Sequence, residues 1–386
     1  MKVLHLCIQS PYNDYWGYQE NLLPKYQRKL GHDVTVITTN TMHKGTEIVT
    51  VDTADYTLAD GQRIIRIDYV KYKPKRISDI FRYFRIYDIL CSIRPDFIMV
   101  HSLGNLSVLQ VRKYIRKVNP ECKVVADNHL DYYNGKGLLS IRHLPHRIIY
   151  RVLNNIMQKY YKVVYGITPW RMQYMQDIFW IKKSKSRLLM MGADDERIDI
   201  ANRDRISAEV RAKHNIEDDD FLIVSGGKID KSKNIHILID AINKLDSEKI
   251  KLIIFGAPTN DMREMLEAAS KNPKIKSIGW IDADEVYNYF LAADLVVFPG
   301  THSVMWEQAC ACEVPCVFKH WEGMHHVDFG GNCEFLYEDS AEEMAYVINN
   351  IILDKGKYNN MKKVAKQARK EFLYSEIAKR VINEGV

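Results

Sequence analysis

Short runs of aliphatic and β-branched residues alternate along this chain with longer stretches whose apolar positions recur every three or four residues. KVLHLCI, DVTVITT, RIIRID, DFIMV, KVVAD, VVYGIT and RLLMM read as strands of the first half. FLIVSGG, KLIIFG, IKSIGW, LVVFPG and PCVFK read as strands of the second, and segments such as 19–30 and 235–245 between the runs have helical periodicity. Strands that alternate with helices predict parallel sheets covered on both faces, because a parallel connection needs a crossover and a helix is the compact way to make one. The expected fold class is α/β, with two doubly wound, Rossmann-like domains. The charged, irregular stretch GADDERIDIANRDRIS at 192–207 marks the boundary, giving domains 1–193 and 194–365. The chain reads as helical from about 340 on, and 366–386 are expected to form a tail that packs back toward the N-terminal domain.

Open α/β sheets bind ligands at the carboxyl ends of their strands, and two such domains facing across a cleft would bring two of these edges into use. Four strand ends carry candidate chemistry: after Cys7, around His101 and His129, at Gly226-Gly227, and at Pro299-Gly300.

Composition narrows the classes. The 386 residues are 46% hydrophobic and 27% charged, ordinary values for a globular chain. No apolar run approaches the ~18–20 residues that span a bilayer. The opening MKVLHLCIQS reads as a first strand rather than a signal peptide, so a cytoplasmic protein is expected. Seven cysteines at irregular spacing make no disulfide framework. Cys310, Cys312 and Cys316 lie near His302 and His320 in sequence but lack paired Cys-x-x-Cys spacing, so buried thiols are expected there and no metal. The net charge is +6, and the basic residues cluster. Lys71 to Arg85 holds six Lys/Arg and one acid, and no Asp or Glu occurs from Tyr132 to Gln176. Either segment could be an ordinary solvated face. Their interleaving with Tyr, Phe, Leu and Ile also suits a surface resting on anionic lipid, here the inner face of a membrane. Nucleic acid is not an expected partner.

A dinucleotide Gly-x-Gly-x-x-Gly and a Gly-x4-Gly-Lys-Ser/Thr loop are both missing. Asp282-Ala-Asp284 mimics a metal-binding pair but opens a helical pattern, where capping explains it. The phosphate-binding candidate is SGGKIDKSKNIHILIDAI at 225–242. Gly226 and Gly227 end a strand and let backbone approach a ligand, while the Lys228 and Lys233 ammonium groups can neutralise a diphosphate. Two exposed lysines on a turn are the plainer alternative.

This segment resembles the Gly-Arg-x5-Lys-Gly loop of the retaining GT-B glycosyltransferases of group 1 (family 4). The resemblance continues in WGYQENLLPKYQRKLGHDVTVITT (16–39), in the His-bearing strand ends DFIMVHS and VVADNHLD, in RLLMMGADDERI, and in EGMHHVDFGGNCEFLYED. It implies a cytoplasmic enzyme that moves a sugar from a nucleoside-diphosphate sugar to a saccharide or lipid-linked acceptor, with retention and with neither metal nor cofactor. Bacterial surface polysaccharide or glycoconjugate assembly would be its setting, and the N-terminal domain would bind the acceptor. Lys228 and Lys233 would hold the diphosphate, Lys228 standing where the family has Arg and so losing the bidentate fork. Gly17 would let backbone approach the donor, His129 would contact the transferred sugar, and His101 would line the site as a further sugar contact.

The stretch PGTHSVMWEQACACEVPC at 299–316 departs from the pattern, because the family has two glutamates eight positions apart and this chain does not. The resemblance places Ser303 at the first position and Glu307 or Gln308 at the second, with a shortened loop. Glu307 would accept from the ribose hydroxyls, Ser303 would open a helix aimed at the phosphates, and His302 would stand in for the lost sugar contact. Glu307 as a first-turn carboxylate serving only its own helix is the alternative. The missing pair also leaves open a non-catalytic, nucleotide-sugar-binding partner protein.

Overall fold

A computed structural model describes residues 1–45, 47–72 and 82–386. Lys73, Lys75 and Arg76 of the first basic segment therefore lie outside the described residues, as does the side chain of Arg142. The chain forms two compact units, Met1–Met190 with Tyr374–Val386, and Met191–Leu373.

Ten strands precede residue 190 among the described residues: β1 (Lys2–Cys7), β2 (Asp33–Thr39), β3 (Thr41–Lys44), β4 (Glu47–Thr50), β5 (Ala54–Thr57), β6 (Arg63–Ile67), β7 (Phe97–His101), β8 (Lys123–Asn128), β9 (Tyr161–Gly166) and β10 (Ser186–Leu188). Eight of them form a sheet in the order β10-β9-β8-β7-β1-β2-β6-β5. Every pairing in it is parallel except β5 with β6. The central strands read as unbroken apolar runs because both of their faces are covered. Leu4, Leu6, Ile98 and Val100 point into one core, and Val3, Phe97, Met99 and Val125 into the other.

The second core is completed by the C-terminal helix Tyr374–Gly385, whose Tyr374, Ile377, Ala378, Val381 and Ile382 follow the i, i+3, i+4, i+7, i+8 rule. The tail was expected to start at 366, but that position lies inside the helix Lys355–Ala368, which buries Met361, Ala365 and Ala368 in the second unit. Ile377→Ala should lower unfolding stability by about 2–5 kcal/mol, measurable by denaturant titration, since this fully buried side chain helps cover one whole sheet face.

The strands β3, β4 and β5 have no counterpart in the sequence reading. β3 and β4 pair as an antiparallel hairpin, Thr41 opposite Thr50 and Lys44 opposite Glu47. None of their residues is fully buried, so backbone pairing rather than an apolar run defines them.

The second unit holds β11 (Phe221–Gly226), β12 (Ile250–Phe255), β13 (Ile275–Gly279), β14 (Leu295–Phe298), β15 (Cys316–Lys319) and β16 (Cys333–Leu336), in the order β13-β12-β11-β14-β15-β16. All five pairings are parallel. Each sheet reverses its winding at one point, beside β1 in the first unit and between β11 and β14 in the second. At such a point the loops leaving neighbouring strands turn to opposite faces and open a crevice at the carboxyl edge.

Candidate functional site

In the first unit the crevice between the ends of β1 and β7 holds a cavity of about 510 Å³, bounded by Ser10, Asn13, Trp16, Glu20, His101 and His129 among others. Behind the lining histidines stands Asp127, which is 0% exposed near the end of β8. Asp127 Oδ2 accepts from His101 Nδ1 at 2.8 Å and from Gln19 Nε2 at 3.0 Å, and Oδ1 accepts from the Ser102 N–H at 2.9 Å. Burial works against its ionised form, but the His101 and His129 imidazoles outweigh burial and hold the carboxyl well below its usual range. His101 is also disfavoured as a cation by burial, and the Cys7 thiol and the Asp127 carboxylate beside it reverse this and raise it well above an ordinary histidine.

Behind His101 lies His5, 3.0 Å away ring nitrogen to ring nitrogen, and His5 Nε2 stands 2.8 Å from Gln27 Oε1. Burial first, then the charge of His101, drives His5 down to about 3, so it is neutral. One assignment satisfies every contact: His101 donates from both nitrogens, and His5 accepts at Nδ1 and donates from Nε2 to Gln27. Both ring nitrogens of His101 are therefore occupied, and it has none left for a sugar hydroxyl. It is a positioning group rather than the expected sugar contact.

His129 is partly exposed, with Nε2 3.4 Å from Asp127 Oδ2 and 4.0 Å from Glu20 Oε1. Burial lowers its basicity, but Asp127 and Glu20 more than restore it, so the imidazole at the cavity wall favours the cation. Gly17 lies exposed between Trp16 and Tyr18, both of which line the cavity.

In the second unit the end of β11 is shaped by glycine. A Cβ on Gly226 would stand 2.4 Å from the Phe255 carbonyl oxygen, and Gly227 has φ +106°, which L side chains rarely adopt. Gly300, just after β14, packs so closely on the neighbouring loop that a Cβ would stand 2.3 Å from Lys233 Cα. The loops after β11 and β14 are tied together: the Thr301 N–H donates to the Ser232 carbonyl at 3.0 Å, and Lys233 Nζ donates to the Thr301 carbonyl at 2.7 Å. Burial lowers the basicity of Lys233. Lys228 is mostly exposed, its Nζ 3.4 Å from Asp230 Oδ2. The four residues Gly226, Gly227, Lys228 and Lys233 are thus brought to one edge.

The stretch after β14 differs from expectation. The helix Met305–Ala311 has seven residues and its N-cap is Val304, so Ser303 caps nothing with its side chain and only accepts the Trp306 N–H at its carbonyl. Glu307 is 0% exposed and faces inward. Its Oε1 accepts from His302 Nε2 at 2.9 Å and from His326 Nε2 at 3.0 Å. Burial opposes its charge, and the two histidines overcome that and lower its pKa to about 2. The expected ribose contact is corrected accordingly: a fully buried carboxylate held by two imidazoles is not turned out to a ribose. Gln308, one position on, is partly exposed.

The cysteines Cys310, Cys312, Cys316 and Cys333 are buried free thiols. His326 and Asp127 are the functional candidates that the sequence reading passed over. Asp127 had a signal, since it closes the apolar run KVVAD two positions before His129.

Fold and site together define an α/β protein of two units, the second of which carries two lysines on a glycine-shaped strand edge. Residues 207–368 match the family model described as glycosyl transferases group 1. An uncharacterized glycosyltransferase of Methanocaldococcus jannaschii is 25% identical over 219 residues, 53% of this chain and 55% of that protein, so the chain matches about half the length of this curated relative. A glycosyltransferase of Rickettsia africae superposes with TM-score 0.70 at 15% identity, over 99% of this chain and 97% of its own. Anabaena HepE, solved with UDP, superposes with TM-score 0.66 at 16% identity, over 99% of each chain. The architecture is that of the GT-B glycosyltransferases, two Rossmann-like domains.

Proposed function

We propose that the protein is a retaining glycosyltransferase that moves a sugar from a nucleoside-diphosphate sugar to a hydroxyl of a saccharide or lipid-linked saccharide, in bacterial surface polysaccharide or glycoconjugate assembly. The observation that carries this reading is the β11–β14 edge, where glycine-shaped backbone and two ammonium groups converge at the point where the sheet reverses its winding. The anomeric carbon–phosphate oxygen bond breaks, the acceptor oxygen bonds to that carbon, and the acceptor proton passes to the departing diphosphate. Lys228 and Lys233 stabilise the charge that grows on the diphosphate. Gln308, on the helix Met305–Ala311, takes the ribose hydroxyls, His302 lies on the loop before that helix, and His129 meets the transferred sugar.

The nearby carboxylates do not act as nucleophiles. Asp230 accepts from Ser232, Asp339 pairs with Lys319 and Asn234, and Glu307 is buried. A front-face departure fits this arrangement better than a double displacement.

Release of nucleoside diphosphate from a panel of UDP-, GDP- and ADP-sugars, with extracted lipids as acceptors, tests the reading. Turnover of one donor supports it. Nucleotide binding with no turnover of any donor would favour the alternative, a non-catalytic nucleotide-sugar-binding partner, which the buried Glu307 keeps in view.

The acceptor side has its own support. No described helix is long and apolar enough to cross a membrane. The helix Leu144–Met157 and the turn before it nevertheless expose Ile141 (88%), Ile148 (50%) and Val152 (55%) in an acid-free segment that also carries Arg147 and Arg151. Arg151 is held over Trp180, 4.4 Å from the ring centroid. Such a face suits an anionic lipid surface. Ile148→Asp with Val152→Asp should strongly reduce sedimentation with anionic liposomes at low salt, and unchanged sedimentation would remove the membrane from the account.

A further inference from the structure

We propose that His302, Glu307 and His326 form a binding site for a divalent transition metal, zinc by the chemistry of the donors. The three side chains come from separate pieces of the second unit: the loop after β14, the helix Met305–Ala311, and the loop between β15 and β16. They converge on one point nonetheless. Both imidazoles turn Nε2 toward the same carboxylate oxygen, at 2.9 and 3.0 Å, and the three donor atoms lie within 4.8 Å of one another. Zinc binds nitrogen and oxygen at about 2.0–2.2 Å in a tetrahedron, so its ligand atoms stand roughly 3.3 Å apart. A slight spreading of this cluster therefore admits an ion, with no change of backbone.

The surroundings hold the cluster in place. Trp306 stacks on Phe318 with centroids 4.4 Å apart and planes 9° from parallel, which fixes the helix against β15. The His302 ring stands edge-on to Trp306, at 5.1 Å and 77°. The His302 and His326 rings lie 5.6 Å apart at 62°. These contacts set the ring planes before any ion arrives, as a binding site requires.

A second observation points to a ligand. Glu307 Oε2 is buried and has no hydrogen-bond partner, and His326 Nδ1 is in the same condition. A buried carboxylate oxygen without a donor is destabilising, and more so when it is charged. A cation shared by the two histidines and reached by Oε2 would remove that cost. Two imidazoles and one carboxylate select zinc over magnesium or calcium, which prefer all-oxygen shells. Three protein ligands also leave a fourth position for water, on the side where His302 is partly exposed.

The other converging group, Glu20, His101 and His129, is a weaker candidate. His101 has both nitrogens committed to Asp127 and His5, and His129 stands 4.0 Å from Glu20.

The test uses the full chain, stripped with chelator, dialysed, loaded with zinc and desalted, with metal counted by mass spectrometry. Cobalt(II) is added to a parallel sample for its visible spectrum. The expected result is about one zinc per chain and a tetrahedral cobalt band, both lost in His302→Ala and in His326→Ala. His302→Ala alters only a loop residue, and circular dichroism would show whether it folds. The wild-type count stands by itself in any case. Wild-type protein that retains no zinc after loading would overturn the proposal, and so would zinc retained equally by both variants. The readout is metal content, so the transferase reading can fail without affecting it, and the reverse holds too.

Discussion

Lys233→Ala should lower kcat for nucleoside-diphosphate release by about 10²–10³-fold, the loss typical when one preorganised group that meets developing charge is removed. Lys233 sits where the loops after β11 and β14 are joined, its ammonium on the Thr301 carbonyl at 2.7 Å. Burial lowers its basicity in the free protein, and an arriving diphosphate would act in the opposite direction. That interaction strengthens as the leaving group gains charge, so kcat is affected more than KM. The structural cost is small, because the lost hydrogen bond contributes only about 1 kcal/mol. A variant of near-normal thermal stability and near-normal kcat would show that Lys233 only ties the two loops. Lys228→Ala should act more on donor affinity, since Lys228 is exposed and has only Asp230 nearby.

The second large effect is expected at Asp127. Asp127→Ala leaves the His101 cation buried without its partner, at a cost of about 3–5 kcal/mol in the stability of the first unit. The sign of the pH dependence follows from the two shifts. Asp127 has its folded pKa depressed, so its contribution is present above the ordinary 3.8 of a free aspartate and is lost as pH falls toward the folded value. His101 has its folded pKa raised, so its contribution is full below the ordinary 6.5 and is lost as pH rises through the folded value. The pair therefore stabilises most between these two ordinary values, and the alanine variant should lose that plateau in denaturant titrations. Asp127→Asn keeps the shape and removes the charge that favours the His129 cation. Its pH–activity profile should move to lower pH, while a purely structural role would leave the profile in place.

Much of this was legible in the sequence. The central strands were readable because both their faces are buried, which writes an apolar run into β1, β7, β11 and β12. The hairpin of β3 and β4 was not, because none of its residues is fully buried. Gly226, Gly227, Lys228 and Lys233 were legible as a group, since a strand end, a glycine pair and two lysines before a helix lie within a few positions of one another. Glu307 was misread. One sequence position turns a helical side chain by about 100°, and nothing local says whether Glu307 or Gln308 faces outward. Its partners His302 and His326 come from two different loops, so only the folded sheet brings them together. The His5–His101–Asp127 line was hidden for the same reason, since its members lie on three strands whose adjacency is a matter of topology.

The most direct measurement follows a radiolabelled sugar from its nucleoside diphosphate into extracted lipid or saccharide acceptor, wild type beside the double variant Lys228→Ala, Lys233→Ala. The account predicts transfer from one donor by the wild type, with nucleoside diphosphate released in equal amount, and transfer reduced to background by a folded double variant. Equal transfer by the two proteins would contradict it, as would tight nucleotide binding by the wild type with no sugar moved from any donor.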